Sequence, residues 1–147
     1  MVVIQKATVK DISIIAPLFN SYRVFYKQES NLVAATEFLT ERLNQNQSYI
    51  FIAFIDNKAV GFTQLFTSFS SVSLKSVFIL NDLYVDKNYR SQKIGASLLL
   101  KAKEFCKEKG YKGIALETAI DNPAQKLYER LNWKKDADCF HYFWTAN

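Results

Sequence analysis

Residues Asp82 to Ala96, Asp-Leu-Tyr-Val-Asp-Lys-Asn-Tyr-Arg-Ser-Gln-Lys-Ile-Gly-Ala, pass from strand-forming residues through a basic turn into a helical pattern. A helix that starts there leaves its first backbone N–H groups without intrahelical partners, and its dipole favours negative charge. Arg90 and Lys93 add two cationic side chains at the same end. The chemistry suited to this turn is anion binding, and a pyrophosphate is the expected ligand.

The rest of the chain must supply a scaffold for that turn. Residues 4–7 read as a first strand, and Thr8 to Asp11 as a capping box with Asp in place of the usual Glu. A helix follows through Ile12, Ile15, Leu18, Phe19, Tyr22 and Tyr26, with Pro17 expected to kink or interrupt it. A second helix is expected over 34–44. Strands over 49–55 and 59–66 flank an Asp56-Asn57-Lys58 turn. Residues 69–73 read as a polar connection with one aromatic, Phe69. Residues 77–85 read as a long strand buried on both faces.

The clearest helix covers 94–109, where Leu98, Leu99, Ala102, Phe105 and Cys106 recur at helical spacing and Gly110 ends it. A strand over 113–118 comes next. A short helix over 123–131 is then closed by Asn132 in a left-handed conformation. The tail 133–145 is expected to add one or two antiparallel strands. The order predicts one domain over 1–147, a mixed α/β (α+β) fold. Its sheet is mostly antiparallel, flanked by helices on both faces, with one parallel crossover through the helix over 94–109.

Composition narrows the function classes. A hydrophobic content of 49% in 147 residues is enough for one packed core and argues against disorder. No apolar run reaches the roughly 20 residues that span a bilayer, and the first residues do not read as a secretory signal. Two cysteines, Cys106 and Cys139, make neither a disulfide framework nor a metal cluster, so a reducing, cytoplasmic setting is expected. The net charge of +5 is spread along a helix and its exit, at Lys101, Lys103, Lys107, Lys109 and Lys112. That spread favours a solvated face over a nucleic-acid footprint, and positive charge also suits a polyanionic ligand.

Two segments carry a family resemblance. Leu83-Tyr84-Val85 followed by Tyr89-Arg90-Ser91-Gln92-Lys93-Ile94-Gly95-Ala96 is similar to the acetyl-CoA motif Arg/Gln-x-x-Gly-x-Gly/Ala of the GNAT superfamily of N-acetyltransferases. Asp121 to Trp133, Asp-Asn-Pro-Ala-Gln-Lys-Leu-Tyr-Glu-Arg-Leu-Asn-Trp, resembles that superfamily's later Asn-x-x-Ala-x-x-Leu-Tyr segment. Residues 79–86 further resemble a fungal branch that acetylates histones, polyamines or D-amino acids. Two departures stand out. Lys93 occupies the first Gly position of the phosphate motif, either as a first-turn helical residue whose ammonium adds a phosphate contact or as a crowded loop residue; the first reading is favoured. In the second segment either Asp121 or Asn122 takes the family Asn role.

The resemblance implies acetyl transfer from acetyl-CoA to a primary amine of a small molecule or peptide, by direct attack within a ternary complex. Neither cysteine has a plausible histidine partner, since His141 is the only histidine, which agrees with the absence of an acyl-enzyme. The amides of Gln92, Lys93, Ile94, Gly95 and Ala96, with Arg90, are expected at the phosphates. Asn122 is expected at the same ligand. The edge of Leu83, Tyr84 and Val85 can pair with the pantetheine amides, and an N–H at Leu83 or Tyr84 is the expected oxyanion donor.

Tyr128 is implied as general acid. For the general base, Asp82 follows Asn81, which stands where polyamine-acetylating relatives often carry Glu. Strand alternation turns Asp82 to the opposite face unless a bulge intervenes. Glu117, Asp121 and a water relay held by Asn81 remain alternatives. The acceptor pocket is expected from Tyr22, Phe25, Tyr26 and Glu29 with the Phe69-Ser70-Ser71 connection. Phe25 and Tyr26 are adjacent, so at least one of them lines a cleft rather than the core. An exposed edge or the aromatic tail leaves room for a homodimer. A non-catalytic CoA-binding module is the competing reading.

Overall fold

The strand that begins the chain, β1 (Val3–Lys6), pairs antiparallel with β2 (Ser48–Ile55) in a computed structural model that describes residues 1–146. The capping box holds as expected. Asp11 accepts from the Thr8 N–H at 2.8 Å, while Thr8 Oγ1 accepts from Lys10 N–H at 3.2 Å, closing a short 3₁₀ turn over Val9–Asp11. Helix α1 (Ile12–Phe25) then runs without a break through Pro17, contrary to the expected interruption. Pro17 and Ser13, one turn earlier, both sit on the exposed face, so the carbonyl that Pro17 leaves unbonded meets water. The opposite face buries Ile12, Ile15, Ala16, Leu18 and Phe19, which outweighs the lost bond.

Helix α2 (Leu32–Asn44) is capped by Asn31, whose side chain accepts from Ala34 N–H at 3.0 Å. Strand β3 (Lys58–Ser70) returns from β2 through Asp56 and Asn57, both at positive φ (48° and 63°), the signature of a type I′ hairpin. It continues past the expected end at 66, so Phe69 and Ser70 belong to the strand and pair with Ser76 and Lys75. Strand β4 (Lys75–Val85) pairs antiparallel with β3. Helix α3 (Ile94–Glu108) crosses over to β5 (Ile114–Ala115), which lies parallel to β4. The sheet order is β1-β2-β3-β4-β5, a mixed α/β architecture with four antiparallel-linked strands and one parallel crossover.

Alternation along β2 shows how both faces are covered. Ile50 and Ile52 join Ile15, Phe19, Ala35 and Leu39 in a core beneath α1 and α2. Tyr49 and Phe51 point the other way, with ring centroids 5.0 and 5.3 Å from Phe105 of α3. Burial along β4 falls on both faces, as expected: Phe78 stacks its ring 5.6 Å from that of Phe105 on α3, Asp82 is buried on the side of α1 and α2, and Val77 and Ile79 are half-buried.

The chain divides into two compact units, Met1–Glu117 and the part from Thr118 onward. The second holds α4 (Gln125–Arg130), and Asn132 after it takes φ 68°, the left-handed cap read from the sequence. The strands expected in the tail are not formed among the described residues. The run from 133 lacks a ladder partner in its own unit, and Phe140, Tyr142, Phe143 and Trp144 are exposed. No helix among the described residues is long and apolar enough to cross a membrane.

Candidate active site

Three features of β4 and its exit build the site in the first unit. The first is the start of α3. Thr8, Asn31 and Asp86 each place a side-chain oxygen on a backbone N–H at a helical start, but α3 has no side-chain cap. Ser91 (φ 67°) and Lys93 (φ 63°) lie in the left-handed region, and Gln92 between them does not. Alternation of that kind turns successive N–H groups toward one concavity, and the amides of the first turn extend it. Gln92 and Lys93 are exposed, Gly95 and Ala96 half-buried, and Ile94 anchors the turn in the core at 1% exposure.

The expectation for Lys93 is corrected here. It is not a first-turn residue but the N-cap of α3, at φ 63° and ψ 18°. The sharp passage from turn to helix demands the conformation that Gly adopts freely, and Lys carries the left-handed penalty of about 1–2 kcal/mol. Its side chain is nevertheless in solvent at the helix's positive end.

The second feature is the open edge of β4. Pairing with β5 is confined to Phe78–Ile114 and Ile79–Ala115, far shorter than the strand expected over 113–118. Phe78 N–H donates to Gly113 O on the β5 side at 2.9 Å, whereas Asp86 N–H donates to Val60 O on the β3 side at 2.8 Å. Counting back in twos from Asp86 puts the N–H groups of Tyr84 and Asp82 toward β3, and those of Val85 and Leu83 toward the open edge. Val85 O already accepts there from Arg90 Nε at 3.0 Å. The Arg90 guanidinium lies 5.4 Å from the Phe25 ring and 5.8 Å from the Tyr84 ring, so those three side chains form one cation–π cluster. Of the two candidate oxyanion donors, Leu83 faces the open edge.

The third feature is a bulge. Gln64 pairs with Asp82 and Leu65 with Leu80, which leaves Asn81 unmatched on β4. The extra residue turns Asp82 and Asn81 into the same cavity, of about 360 Å³. Phe19, Tyr22 and Arg23 of α1 line it, with Ala34, Ala35 and Phe38 of α2. Its floor is Gln64, Asn81 and Asp82. Asp82 is 2% exposed. Asn81 Nδ2 donates to its Oδ1 at 2.8 Å, and Gln64 Nε2 donates to its Oδ2. Burial raises the Asp82 pKa above the ordinary carboxylate range, against the pull of hydrogen bonds from Asn81, Gln64 and Tyr22. The Tyr22 hydroxyl also donates to Asn81 O at 3.2 Å, tying α1 to the bulge.

Tyr22, Asn81 and Asp82 are thus brought together, while Phe25 joins Tyr84 and Arg90. Tyr26 packs its ring 5.0 Å from Tyr22 and is half-exposed. Glu29 and Phe69 do not line the cavity. Glu29 is exposed and its backbone carbonyl accepts from Arg23 Nη1 at 3.2 Å, while Phe69 is 74% exposed at the far end of β3. Glu117 is exposed and outside the cavity lining too. The sequence reading missed Gln64 and Arg23. Gln64 carried a usable signal, as the one amide in the run Phe62-Thr63-Gln64-Leu65-Phe66, where a buried polar side chain needs a partner.

In the second unit, Asn122 Oδ1 accepts from Ala124 N–H at 2.9 Å, so Asn122 rather than Asp121 braces the approach to α4. Tyr128 is half-buried on α4, with its ring 6.0 Å from that of Trp133.

Comparison with known proteins gives a consistent picture. Residues 15–133 match the family described as acetyltransferase (GNAT) family. The chain is 43% identical over 140 residues to the uncharacterized N-acetyltransferase YhfO of Bacillus subtilis, covering 95% of this chain and 94% of that protein. A crystal structure of a probable acetyltransferase superposes with a TM-score of 0.93 at 37% identity, over 99% of this chain and 98% of the other. A predicted acetyltransferase of Clostridium acetobutylicum, solved with acetyl-CoA, shares the fold at a TM-score of 0.78 and 16% identity, over 97% and 96% of the two chains.

Proposed function

Because the chain belongs to the GNAT acetyltransferase family and is an N-acetyltransferase, we propose that it takes acetyl-CoA as donor and a primary amine as acceptor. Direct attack occurs in a ternary complex, without an acyl-enzyme. The observation that carries this reading is the bulge at Asn81, which sets a buried carboxylate on a cavity floor in the same strand that offers an unpaired edge.

The residues present fit the donor. The uncapped first turn of α3 and the turn over Ser91 to Lys93 offer amides to a pyrophosphate. Exposed Arg90 and Lys93 supply positive charge, and Leu83 and Val85 offer strand-edge groups to the pantetheine amides. When bound, acetyl-CoA supplies the acetyl group as a thioester, so that a C–N bond to the amine forms as the C–S bond breaks.

Asp82 takes the proton that the amine loses. Its raised pKa brings a carboxylate closer to the working pH, which is what a general base requires. Asn81 and Gln64 hold that carboxylate by hydrogen bonds and act as positioning residues. The Leu83 N–H, already oriented by the strand, faces the side on which an oxyanion would develop. Tyr128 supplies the proton for the departing thiolate, an assignment that rests on its sequence motif. Asn122 acts by shaping the backbone before α4.

The family match spans both units, which supports reading 1–147 as one catalytic domain. Two unpaired thiols, at Cys106 and Cys139, suit a reducing cytoplasm. A homodimer would find apolar surface in the exposed aromatic tail. The testing experiment is release of free thiol from acetyl-CoA over a panel of primary amines, with Asp82→Asn beside the native protein. Amine-dependent release that falls in the variant is expected; release indifferent to both amine and variant would end the reading.

A further inference from the structure

The cavity over Asp82 is lined by two polar groups that the transfer chemistry leaves over, the Gln64 Oε1 and the Arg23 guanidinium. Gln64 is fully buried and lines the cavity, and its Nε2 is engaged with Asp82. Its Oε1 finds no hydrogen-bond donor among the described residues. An amide oxygen sealed from water without a donor is costly, so such an atom marks the place where a ligand's N–H belongs. Arg23 is the second group. It is half-buried and lines the same cavity, donates one N–H to the Glu29 carbonyl, and makes no ion pair among the described residues. A guanidinium has five donors in a planar fork matched to a carboxylate, and only one of them is accounted for here.

The cavity lining therefore carries one buried acid and one unpaired base. A polyamine would need acids at both ends and would meet Arg23 with like charge. A long peptide would need a groove rather than a cavity of about 360 Å³, which is near the lower end for small-molecule sites. Apart from Tyr22 and Asn81, whose polar atoms are tied to the bulge, the remaining walls, Phe19, Phe38, Ala34 and Ala35, are apolar.

We propose that the acceptor is a small carboxylate-bearing primary amine with an apolar body, of the α-amino-acid type, its amine set between Asp82 and the Gln64 Oε1 and its carboxylate on Arg23. This inference rests on the acetyl-transfer reading and names its substrate class. A primary amine bound in its neutral, nucleophilic form has two N–H bonds: one goes to Asp82, which takes that proton as the C–N bond forms, and one to Gln64. Asp82 accepts from Asn81, Gln64 and Tyr22, and one of the roughly four acceptor sites on its two oxygens is left for the amine. The Arg23 fork holds the other end of the molecule, so the residue determines specificity and takes no part in the chemistry.

The test pairs each amino acid with the amine that lacks only its carboxylate. Phenylalanine (both enantiomers) is set against phenethylamine, and leucine against isoamylamine, with spermidine as the polycation. Thiol release from acetyl-CoA gives kcat/KM, and thermal melting with each compound gives binding without turnover. A charge-assisted hydrogen bond that only one member of a pair can form corresponds to about 10- to 150-fold in kcat/KM in favour of the acid-bearing member. Arg23→Gln is expected to collapse that ratio toward one, chiefly through KM. Arg23→Glu is expected to invert it and to admit spermidine.

Gln64→Leu is expected to weaken both members of each pair alike, since it acts at the amine end. Turnover of the plain amines or of spermidine at least equal to that of the amino acids overturns the inference while leaving acetyl transfer standing. No turnover, with melting raised by amino acids in the native protein and not in Arg23→Gln, upholds the pocket assignment and removes the transfer reading. Neither turnover nor stabilisation by any amino acid overturns both.

Discussion

Replacing Lys93 by Gly separates two effects that one residue combines. Lys93 holds φ 63° at the N-cap of α3 without a side-chain cap bond, and its side chain is exposed. A Cβ in the left-handed region costs about 1–2 kcal/mol, whereas Gly there forfeits roughly 0.5–1 kcal/mol of unfolded-chain entropy. Lys93→Gly should therefore stabilise the protein by about 1 kcal/mol, or about 3 °C in melting temperature for a chain of this size. Lys93→Ala keeps the Cβ and removes only the ammonium, so its melting temperature should stay near the native value. Both variants lose a charge at the helix's positive end, worth about 0.3–1 kcal/mol to a bound phosphate, so each should weaken CoA binding roughly 2- to 5-fold. Thermal melts and calorimetric titration with CoA read both quantities. A Lys93→Gly protein that melts at or below the native temperature would show that the turn carries no left-handed strain. Unchanged affinity in both variants would show that the ammonium does not meet the phosphates.

Asp82→Asn should lower kcat about 10²- to 10⁴-fold and abolish the acidic limb of the rate profile, because the native base is lost as pH falls through its raised pKa. In the native protein the folded state holds that proton more tightly than the unfolded chain. Stability should consequently decline as pH rises from the ordinary value of 3.8 through the raised one, and melting of Asp82→Asn across the same range should lack that decline. Gly61→Ala would set a Cβ 2.8 Å from the Tyr84 carbonyl oxygen, forcing β3 from β4. A loss of about 1–3 kcal/mol by denaturant titration is expected, and a neutral result would contradict the close approach. Tyr128→Phe should reduce kcat about 10²-fold or more with the KM for acetyl-CoA little changed; full turnover would remove Tyr128 from acid catalysis.

The sequence disclosed most where a local rule acts alone. The capping box at Thr8, the turn at Asp56 and Asn57, the Gly110 and Asn132 ends and the helical repeat of α3 all follow from short-range chemistry. The expected interruption at Pro17 did not occur because the solvent exposure of Ser13, which makes the missing bond tolerable, is a tertiary fact. The bulge at Asn81 could be named only as a condition. Whether β4 takes an extra residue depends on its register against Gln64, which no pattern within β4 encodes. The site residues Tyr22 and Asp82 were legible by type, but nothing in the pattern singled out Arg23, which α1 carries to a cavity wall with no ion-pair partner among the described residues.

The central claim is that the amides entering α3, together with Arg90 and Lys93, hold a diphosphate while the open edge of β4 holds the pantetheine arm. Calorimetric titration of the purified protein with CoA, and in parallel with pantetheine, which shares the arm and lacks the diphosphate, tests it most directly. Saturable binding of CoA, weakened by salt and at least tenfold tighter than that of pantetheine, is the expected result. Equal affinity for the two, or no heat from CoA at millimolar concentration, would contradict it.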